Sequence, residues 1–264
     1  EKNKIKEITL TGGEPLLYPD LIEILLYLRN HFSGTVQIIT NLTSLTEKMA
    51  SILSNTVDHV SISLDGYNEE SIDYIRGEGT YKNICKKLEL LKSHSFRMVS
   101  GTMVLSDENY EHINEFEELC KVLRLKPALR TITPTGRALE NIDILNGIGV
   151  QGNVTEDSLN IRAECNAGQN TMAIDSKGMV RECVALDTGC VIGTVEELIT
   201  GKLVGKKKLC EVDYNVTCRK CSVRYFCTGI CRAVNAAIYR NEEIRMKRCK
   251  AIKSCYEKLI WNKG

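Results

Sequence analysis

The sequence has few aromatic residues and few prolines, it has no long apolar run, and its charges nearly cancel. Of its 264 residues, 6% are aromatic and 4 are proline, and the net charge at pH 7 is +1. A nearly neutral chain lacks the overall field with which many nucleic-acid-binding proteins attract phosphates. No apolar segment approaches the roughly 20 residues that cross a bilayer. We therefore expect no nucleic-acid partner and no membrane partner.

The sequence also does not open with a positively charged and then apolar segment of the signal-peptide type. We therefore expect a cytoplasmic protein, in which thiols stay reduced. In that compartment the 12 cysteines indicate metal ligands rather than disulfides, and only Cys85 and Cys120 precede Cys165. This asymmetry and the polar, glycine-bearing segment 141–160 predict two domains, residues 1–145 and residues 146–264.

Short apolar segments alternate with amphipathic segments through the first half of the chain. The pattern predicts strands at 5–10, 36–40, 57–64, 96–105 and 128–133. It predicts helices at 19–30, 44–53, 69–75, 81–92 and 110–123. Strands joined by helices need right-handed crossovers, which indicates a parallel sheet or barrel. In such folds the chemistry lies on the loops at the carboxyl ends of the strands.

The motif Gly12-Gly13-Glu14-Pro15 directly follows the first predicted strand. Two glycines allow a ligand to approach the backbone closely, and the carboxylate that follows can accept hydrogen bonds from an ammonium group. An ordinary glycine turn with a surface glutamate is the alternative that this tetrapeptide alone leaves open.

Short polar side chains follow the next two predicted strands. Thr40 and Asn41 end the second strand, Ser63 and Asp65 end the third, and Arg76 comes shortly after. Hydroxyl and amide groups suit the hydroxyls of a ribose, and the arginine fork suits a carboxylate. For Thr40 and Asn41 taken alone, capping of the next helix is the favoured alternative. For Arg76 the alternative is a solvated side chain.

Seven cysteines of the second half fall into one spacing: Cys165, Cys183, Cys218, Cys221, Cys227, Cys231 and Cys249. Thiolates at these intervals cannot all reach one small ion from a relaxed chain. They can bind two iron–sulfur clusters if the last cysteine of the Cys218–Cys231 run crosses to the other cluster, as in two-cluster ferredoxins. A zinc ribbon needs two Cys-x2-Cys pairs, and only Cys218 and Cys221 form one.

In order and spacing these motifs resemble the radical S-adenosylmethionine family, and the cysteine array resembles its SPASM extension, which carries auxiliary clusters. The resemblance covers nearly the whole chain. It implies a partial parallel (β/α)6 barrel of the TIM type lacking its first strand, followed by a small cysteine-rich α+β SPASM domain. It also implies an oxidoreductase that uses S-adenosylmethionine and 4Fe-4S clusters to generate a 5′-deoxyadenosyl radical, which abstracts hydrogen from the substrate.

The resemblance also implies roles for individual residues, although it names no catalytic residue. Gly12, Gly13 and Glu14, with Pro15 closing the motif, meet the methionine amino group. Ser63 and Asp65 lie near the ribose and Arg76 near the carboxylate, with Thr40 and Asn41 as further candidates. The first auxiliary cluster takes Cys165, Cys183 and Cys231, and the second takes Cys218, Cys221, Cys227 and Cys249. The first then needs a fourth ligand, for which Cys190 is the nearest candidate, Cys210 is the second, and an open iron is the alternative.

One departure from the family pattern concerns the catalytic cluster. Family members bind that cluster through a Cys-x3-Cys-x2-Cys loop ahead of the glycine motif. Here 11 residues precede Gly12 and none of them is a cysteine. We therefore expect that the sequence is truncated at its amino terminus and that the chain as given does not cleave S-adenosylmethionine by itself.

Segments 165–168 and 174–180 resemble thioether-forming peptide maturases. This implies hydrogen abstraction from a residue of a peptide or protein substrate, then a thioether or carbon–carbon crosslink, with a small electron donor of the flavodoxin or ferredoxin type. Oxidation of serine or cysteine, as in anaerobic sulfatase maturation, and processing of a cofactor-precursor peptide are alternatives. Val184 stands where sulfatase-maturating relatives carry an aspartate, which counts against the first alternative. An alternative from a different class of function is a non-enzymatic module for iron–sulfur electron transfer or zinc binding.

Overall fold

The computed structural model describes residues 5–96, 98–106, 108–133, 135, 137–140, 165, 167–168, 170–186, 190–203, 211–227, 229, 231–237 and 241–261. The chain divides into two compact units, Glu1–Arg130 and Thr131–Gly264. The boundary after residue 145 lies outside the described residues and stays a prediction.

The first unit is built on a five-stranded sheet whose strands lie side by side in chain order. The strands are β1 (Glu7–Leu10), β2 (Thr35–Thr40), β3 (His59–Ser63), β4 (Val99–Leu105) and β5 (Lys126–Thr131). The connecting helices are α1 (Leu21–His31), α2 (Glu47–Thr56), α3 (Glu69–Arg76), α4 (Thr80–Ser93) and α5 (Ile113–Val122). The pairs β1–β2, β2–β3 and β3–β4 are parallel. This topology confirms the predicted α/β class with a partial parallel barrel.

Several element ends differ from the sequence prediction because local hydrogen bonds set them. The hydroxyl of Thr46 accepts a hydrogen bond from the Met49 amide, so α2 begins after Thr46 rather than at residue 44. Val57, predicted to open β3, instead donates its amide to the Leu53 carbonyl at 2.9 Å and ends α2. The predicted helix 110–123 opens with a 3₁₀ turn over Tyr110–His112 before α5.

The two faces of the sheet in the first unit differ in polarity. Alternate side chains of a strand point to opposite faces. On one face Ile38, Ile62 and Met103 of β2, β3 and β4 are fully buried in the main hydrophobic cluster, together with helix residues such as Leu53 and Phe116. The other face is polar where β3 meets β4. There, ring nitrogen Nε2 of His59 lies 2.9 Å from Ser100 Oγ, and Ser61 Oγ lies 2.8 Å from Thr102 Oγ1.

The second unit contains a three-stranded sheet with antiparallel pairs. Its strands are β6 (Ala173–Ile174), β7 (Met179–Arg181) and β8 (Val191–Thr194). Its helices are α6 (Arg137–Glu140), α7 (Val195–Ile199), α8 (Glu211–Tyr214), α9 (Arg224–Cys227), α10 (Arg232–Ala237) and α11 (Glu242–Trp261). Asp175 closes the β6–β7 hairpin by accepting the amides of Lys177 and Met179, and Gly178 supplies the positive φ of 73° that the turn requires.

The apolar clusters of the second unit are small. One joins Val223, Ile252 and Tyr256, and another joins Ala185, Leu186, Cys190 and Ala233. Within the described ranges, no helix is both long enough and apolar enough to traverse a lipid bilayer.

Candidate cofactor and cluster sites

Glu14 follows β1, and three donors hold its carboxylate. Oxygen Oε1 accepts hydrogen bonds from the Leu16 amide at 3.0 Å and the Thr40 hydroxyl at 2.6 Å, and Oε2 accepts one from the Asn41 amide at 2.8 Å. Thr40 is the last residue of β2. Because β1 and β2 are parallel neighbours, their carboxyl ends meet at the same edge of the sheet, and the carboxylate is fixed there.

The side chains of Thr40 and Asn41 are engaged within the protein. Thr40 is buried, and its hydroxyl also accepts a hydrogen bond from the Leu42 amide at 2.9 Å. Oxygen Oδ1 of Asn41 accepts hydrogen bonds from the amide and the hydroxyl of Thr43, at 2.9 and 2.7 Å. The alternative that Thr40 and Asn41 cap the next helix is wrong, because the N-cap of α2 is Thr46. Their contacts instead form a local turn, and they give Thr40 a role in orienting Glu14 that the sequence did not indicate.

The glycines before Glu14 leave open space beside the backbone. A Cβ atom added to Gly12 or Gly13 would meet no atom within 4 Å, and Gly12 has a φ of 144°. Pro15 is buried and begins the 3₁₀ turn Pro15–Leu17, for which Glu14 is the N-cap. The motif therefore offers an approachable backbone next to an oriented carboxylate, and this arrangement fits the amino group of S-adenosylmethionine.

Asp65 and Arg76 form an ion pair beyond the end of β3. The carboxylate of Asp65 pairs with Arg76 through Oδ2 and accepts the Val104 amide through Oδ1 at 3.0 Å. Asp65 has a positive φ of 58°. Among the described residues, the buried Nε of Arg76 has no hydrogen-bond partner. An acceptor such as a ligand carboxylate would satisfy this donor. Ser63 ends β3 and is half-buried, in register with Thr102.

The structure brings together the four cysteines that the sequence assigns to the second cluster. Cys218, Cys221, Cys227 and Cys249 all line one cavity of about 560 Å³. Burial raises the pKa of the Cys218 thiol, and the nearby thiolates of Cys249, Cys227 and Cys221 raise it further. Burial also raises the pKa of the Cys249 thiol, followed by the effect of Cys221. The shared cavity and these effects on Cys218 and Cys249 place the four thiols near one another.

Short-range hydrogen bonds place these cysteines. Oxygen Oδ1 of Asn215 accepts the Cys218 amide at 3.0 Å, and the Cys221 amide donates to the Cys218 carbonyl at 2.8 Å in the 3₁₀ turn Cys218–Lys220. Cys227 is the last residue of α9, and Cys249 lies within α11. Every described cysteine is a free thiol, so no disulfide among them competes with metal binding.

Sequence reasoning missed the basic residues of the same cavity, two of which flank Cys249 on α11. Arg245 and Lys253 line the cavity together with Cys249. Residues four apart on a helix share a face, so the positions 245, 249 and 253 of α11 point the same way. Arg245 and Lys253 both lower the pKa of the Cys249 thiol, against the larger effect of burial. The four-residue spacing of Arg245, Cys249 and Lys253 is visible in the sequence and could have predicted this arrangement. It places positive charge next to the thiol of Cys249.

The four cysteines of the second cluster line one cavity, whereas the four candidates for the first cluster share fewer contacts. Cys190 is buried, and its thiol donates to the Leu186 carbonyl at 2.7 Å. Cys183 packs against the same apolar cluster, and its sulfur accepts the Ala185 amide at 3.4 Å. Cys165 and Cys231 are exposed. The choice between Cys190 and an open iron therefore stays a prediction, and Cys210 lies outside the described residues.

A single metal ion such as zinc needs a compact group of ligands. Within the part of the chain that the structure describes, no group of three or more histidine, cysteine, aspartate or glutamate residues could hold one metal ion. An iron–sulfur cluster separates its thiolates more widely because irons and sulfides lie between them. The shared cavity of the second set fits a cluster better than a zinc ion.

A protein-family model matches most of the first unit. It is the model of the Radical SAM superfamily, and it matches residues 1–120. Glu14, Asp65 and Arg76 all lie among the matched residues. The mycofactocin maturase MftC of Mycolicibacterium smegmatis is 30% identical over 148 residues, which are 55% of this chain and 37% of that protein. The chain thus spans less than half the length of this relative.

Several solved structures share the fold of this chain beyond residues 1–120. Native anSMEcpe with bound AdoMet and Cp18Cys peptide has a TM-score of 0.66 and 19% identity, and the match covers 97% of this chain and 85% of that one. Streptococcus suis SuiB bound to the precursor peptide SuiA has a TM-score of 0.60 and 16% identity, over 90% of this chain and 63% of that one. At these identities the similarity concerns the fold, and it confirms the predicted fold class.

Proposed function

We propose that this chain is part of a radical SAM enzyme that modifies a peptide substrate. The observation that carries the proposal is the convergence of Cys218, Cys221, Cys227 and Cys249 on one cavity, in a chain whose first 120 residues match the model of the Radical SAM superfamily. The similarity to a mycofactocin maturase and the fold shared with peptide-bound proteins support a peptide substrate.

The first unit provides the residues that would hold S-adenosylmethionine. Glu14 accepts the ammonium group, and the donors Thr40 and Asn41 keep its carboxylate in place. Arg76, oriented by Asp65, faces the carboxylate of the cofactor. Ser63 and Asp65 border the ribose. When bound to a reduced 4Fe-4S cluster, S-adenosylmethionine supplies the 5′-deoxyadenosyl radical. The printed sequence contains no Cys-x3-Cys-x2-Cys segment for that cluster.

The reaction that we propose begins with loss of a hydrogen atom from a carbon of the peptide. A substrate thiol then forms a carbon–sulfur bond to that carbon as its S–H bond breaks, or a second carbon forms a carbon–carbon bond as its C–H bond breaks, and either route releases one proton and one electron. Cys218, Cys221, Cys227 and Cys249 would hold an auxiliary cluster that would supply an acceptor for this electron. A small cytoplasmic flavodoxin or ferredoxin supplies the electron that starts the reaction. The first set is Cys165, Cys183 and Cys231 with Cys190 as fourth ligand, and the second is Cys218, Cys221, Cys227 and Cys249.

Processing of a cofactor-precursor peptide is the second candidate, and the similarity to MftC favours it. Oxidation of a serine or cysteine side chain is the third candidate. However, Val184 directly follows Cys183 with its apolar side chain exposed, so that position offers no base. An electron-transfer or zinc-binding module would share the cysteine array without a peptide substrate.

Anaerobic reconstitution of the full chain with iron and sulfide tests the proposal. We expect about eight irons and acid-labile sulfide per chain, with broad absorption near ~400 nm. The Cys221→Ala variant should lose only the second cluster and keep about four irons. Cys85→Ala, at a cysteine outside both sets, is the matched control. Zinc uptake without sulfide, or loss of both clusters in the Cys221 variant, would contradict the assignment.

A further inference from the structure

A buried ion pair joins two residues that directly neighbour cysteines of the first set. Glu182 precedes Cys183, and Arg232 follows Cys231. Nitrogen Nη1 of Arg232 donates to Oε2 of Glu182 at 2.7 Å, across 50 residues of sequence. The side chain of Glu182 is only 8% exposed. A charge so far from water is retained because it is paired.

The backbone of Glu182 connects two further segments of the same set. Its amide donates to the Cys190 carbonyl at 3.0 Å, and its carbonyl accepts the Gly168 amide at 2.9 Å. Gly168 lies three residues after Cys165 and has a positive φ of 74°. A Cβ added there would lie 3.0 Å from Cγ of Glu182, so a glycine allows the two segments to come this close.

Glu182 is therefore bonded to three chain segments and is covalently next to a fourth ligand candidate. The segments reached by hydrogen bonds carry Cys165, Cys190 and Cys231, and Cys183 is the next residue. Bringing distant segments together costs chain entropy that grows with loop length. Contacts that exist before metal binding remove this cost from the binding step.

We propose that the Glu182–Arg232 ion pair positions the ligand-bearing segments of the first cluster before iron binds. This inference rests on the proposed function, because that function is what assigns a cluster to these cysteines. Neither side chain is a ligand itself. Their role is to hold Cys183 next to Cys231, while the backbone of Glu182 connects this pair to the segments of Cys165 and Cys190. The pair therefore influences binding of the first cluster only by positioning the cysteines.

The test uses the full chain in a Cys221→Ala background, where bound iron reports the first set alone. Glu182→Gln keeps the shape of the side chain but removes the negative charge that pairs with Arg232. We expect at least a twofold loss of bound iron and sulfide in this variant and in Arg232→Gln. The loss in Glu182→Gln/Arg232→Gln should be smaller than the sum of the single losses, because the two residues act as a pair. Arg232→Lys should restore part of the iron.

Glu196→Gln is the matched control, because Glu196 is an exposed glutamate in α7 of the same unit. We expect wild-type iron content in this variant. With Cys221 intact, Glu182→Gln should keep the second cluster, which shows that the unit remains folded. Wild-type iron in the first set of Glu182→Gln, or loss of both clusters together, would overturn the inference.

Iron-free protein separates this inference from the proposed function. In the absence of metal, we expect the amides of Gly168 and Glu182 to exchange with deuterium faster in Glu182→Gln than in the wild-type chain. Glu196→Gln should exchange like wild type at both positions. Equal exchange in all three chains would overturn the positioning role. Failure of the wild-type chain to take up iron would refute only the cluster assignment and the function built on it.

Discussion

The two units of this protein hold their functional groups by different means. In the first, Glu14 is fixed by donors from a neighbouring strand end, above a large cluster of fully buried residues. In the second, the cysteines lie among short strands and helices and on the long helix α11, with small apolar clusters and the Glu182–Arg232 ion pair. Burial of apolar area stabilises the first site without any ligand. In the proposed function the second site gains stability from its clusters, because metal binding contributes free energy of folding.

Metal removal should therefore separate the two units most clearly. We expect the iron-free chain to be cleaved faster than the reconstituted chain across 165–261, while 5–130 is cleaved equally in both, because the first unit has a large apolar core. Limited proteolysis read by mass spectrometry measures this, with the reconstituted chain as control. A cooperative melt of residues 165–255 without iron would contradict the expectation.

Core truncation should give the next largest difference. Ile62 of β3 is fully buried, and Ile62→Ala should lower the free energy of unfolding of the first unit by about 2–5 kcal/mol. Ile252 of α11 lies in one of the small clusters, so Ile252→Ala should cost less in the reconstituted chain. Chemical denaturation followed by a probe in each unit compares the two. A larger loss at Ile252 would reverse the proposed contrast.

The hydrogen bond that orients Glu14 should have a smaller effect. Thr40→Val keeps the shape of a buried side chain but removes the donor to Oε1, at a cost of about 1–3 kcal/mol. Thr40→Ser keeps the hydroxyl and is the matched control, with part of the loss expected from its missing methyl group. Urea denaturation of the first unit measures both variants. Equal stability of Thr40→Val and wild type would show that the bond does not hold Glu14.

The smallest expected effect concerns pH. Burial lowers the pKa of His59 below 6.5, and the charges of Lys126 and Arg130 lower it further, against Glu7. The unfolded chain then binds a proton that the folded chain does not, so stability is complete above pH 6.5 and falls as the pH drops below it. His59→Asn should flatten this dependence between about pH 7 and pH 5. An unchanged slope in denaturation series at several pH values would contradict the expectation.

The sequence predicts the strands and helices of the first unit well because their apolar spacing is regular. It fails at ends such as that of α2, where the single hydroxyl of Thr46 decides the first turn. The grouping of Cys218, Cys221, Cys227 and Cys249 came from a spacing typical of a family, and the structure places all four on one cavity.

Contacts between distant residues were not predictable in the same way. The bond from Thr40 to Glu14 spans 26 residues and depends on the parallel pairing of β1 with β2. The Glu182–Arg232 pair spans 50 residues, and nothing in either local sequence indicates it. Both contacts follow from the fold and not from a motif.

The long helix α11 determines two properties of the second cysteine set at once. Cys249 and the cations Arg245 and Lys253 share one side of it. Each residue of an α-helix turns by about 100° around the axis. Inserting one residue before Glu242 moves all three together, whereas inserting one between Arg245 and Cys249 separates the cation from the sulfur. The phase of a single helix thus links the position of the Cys249 sulfur to the positive charge beside it.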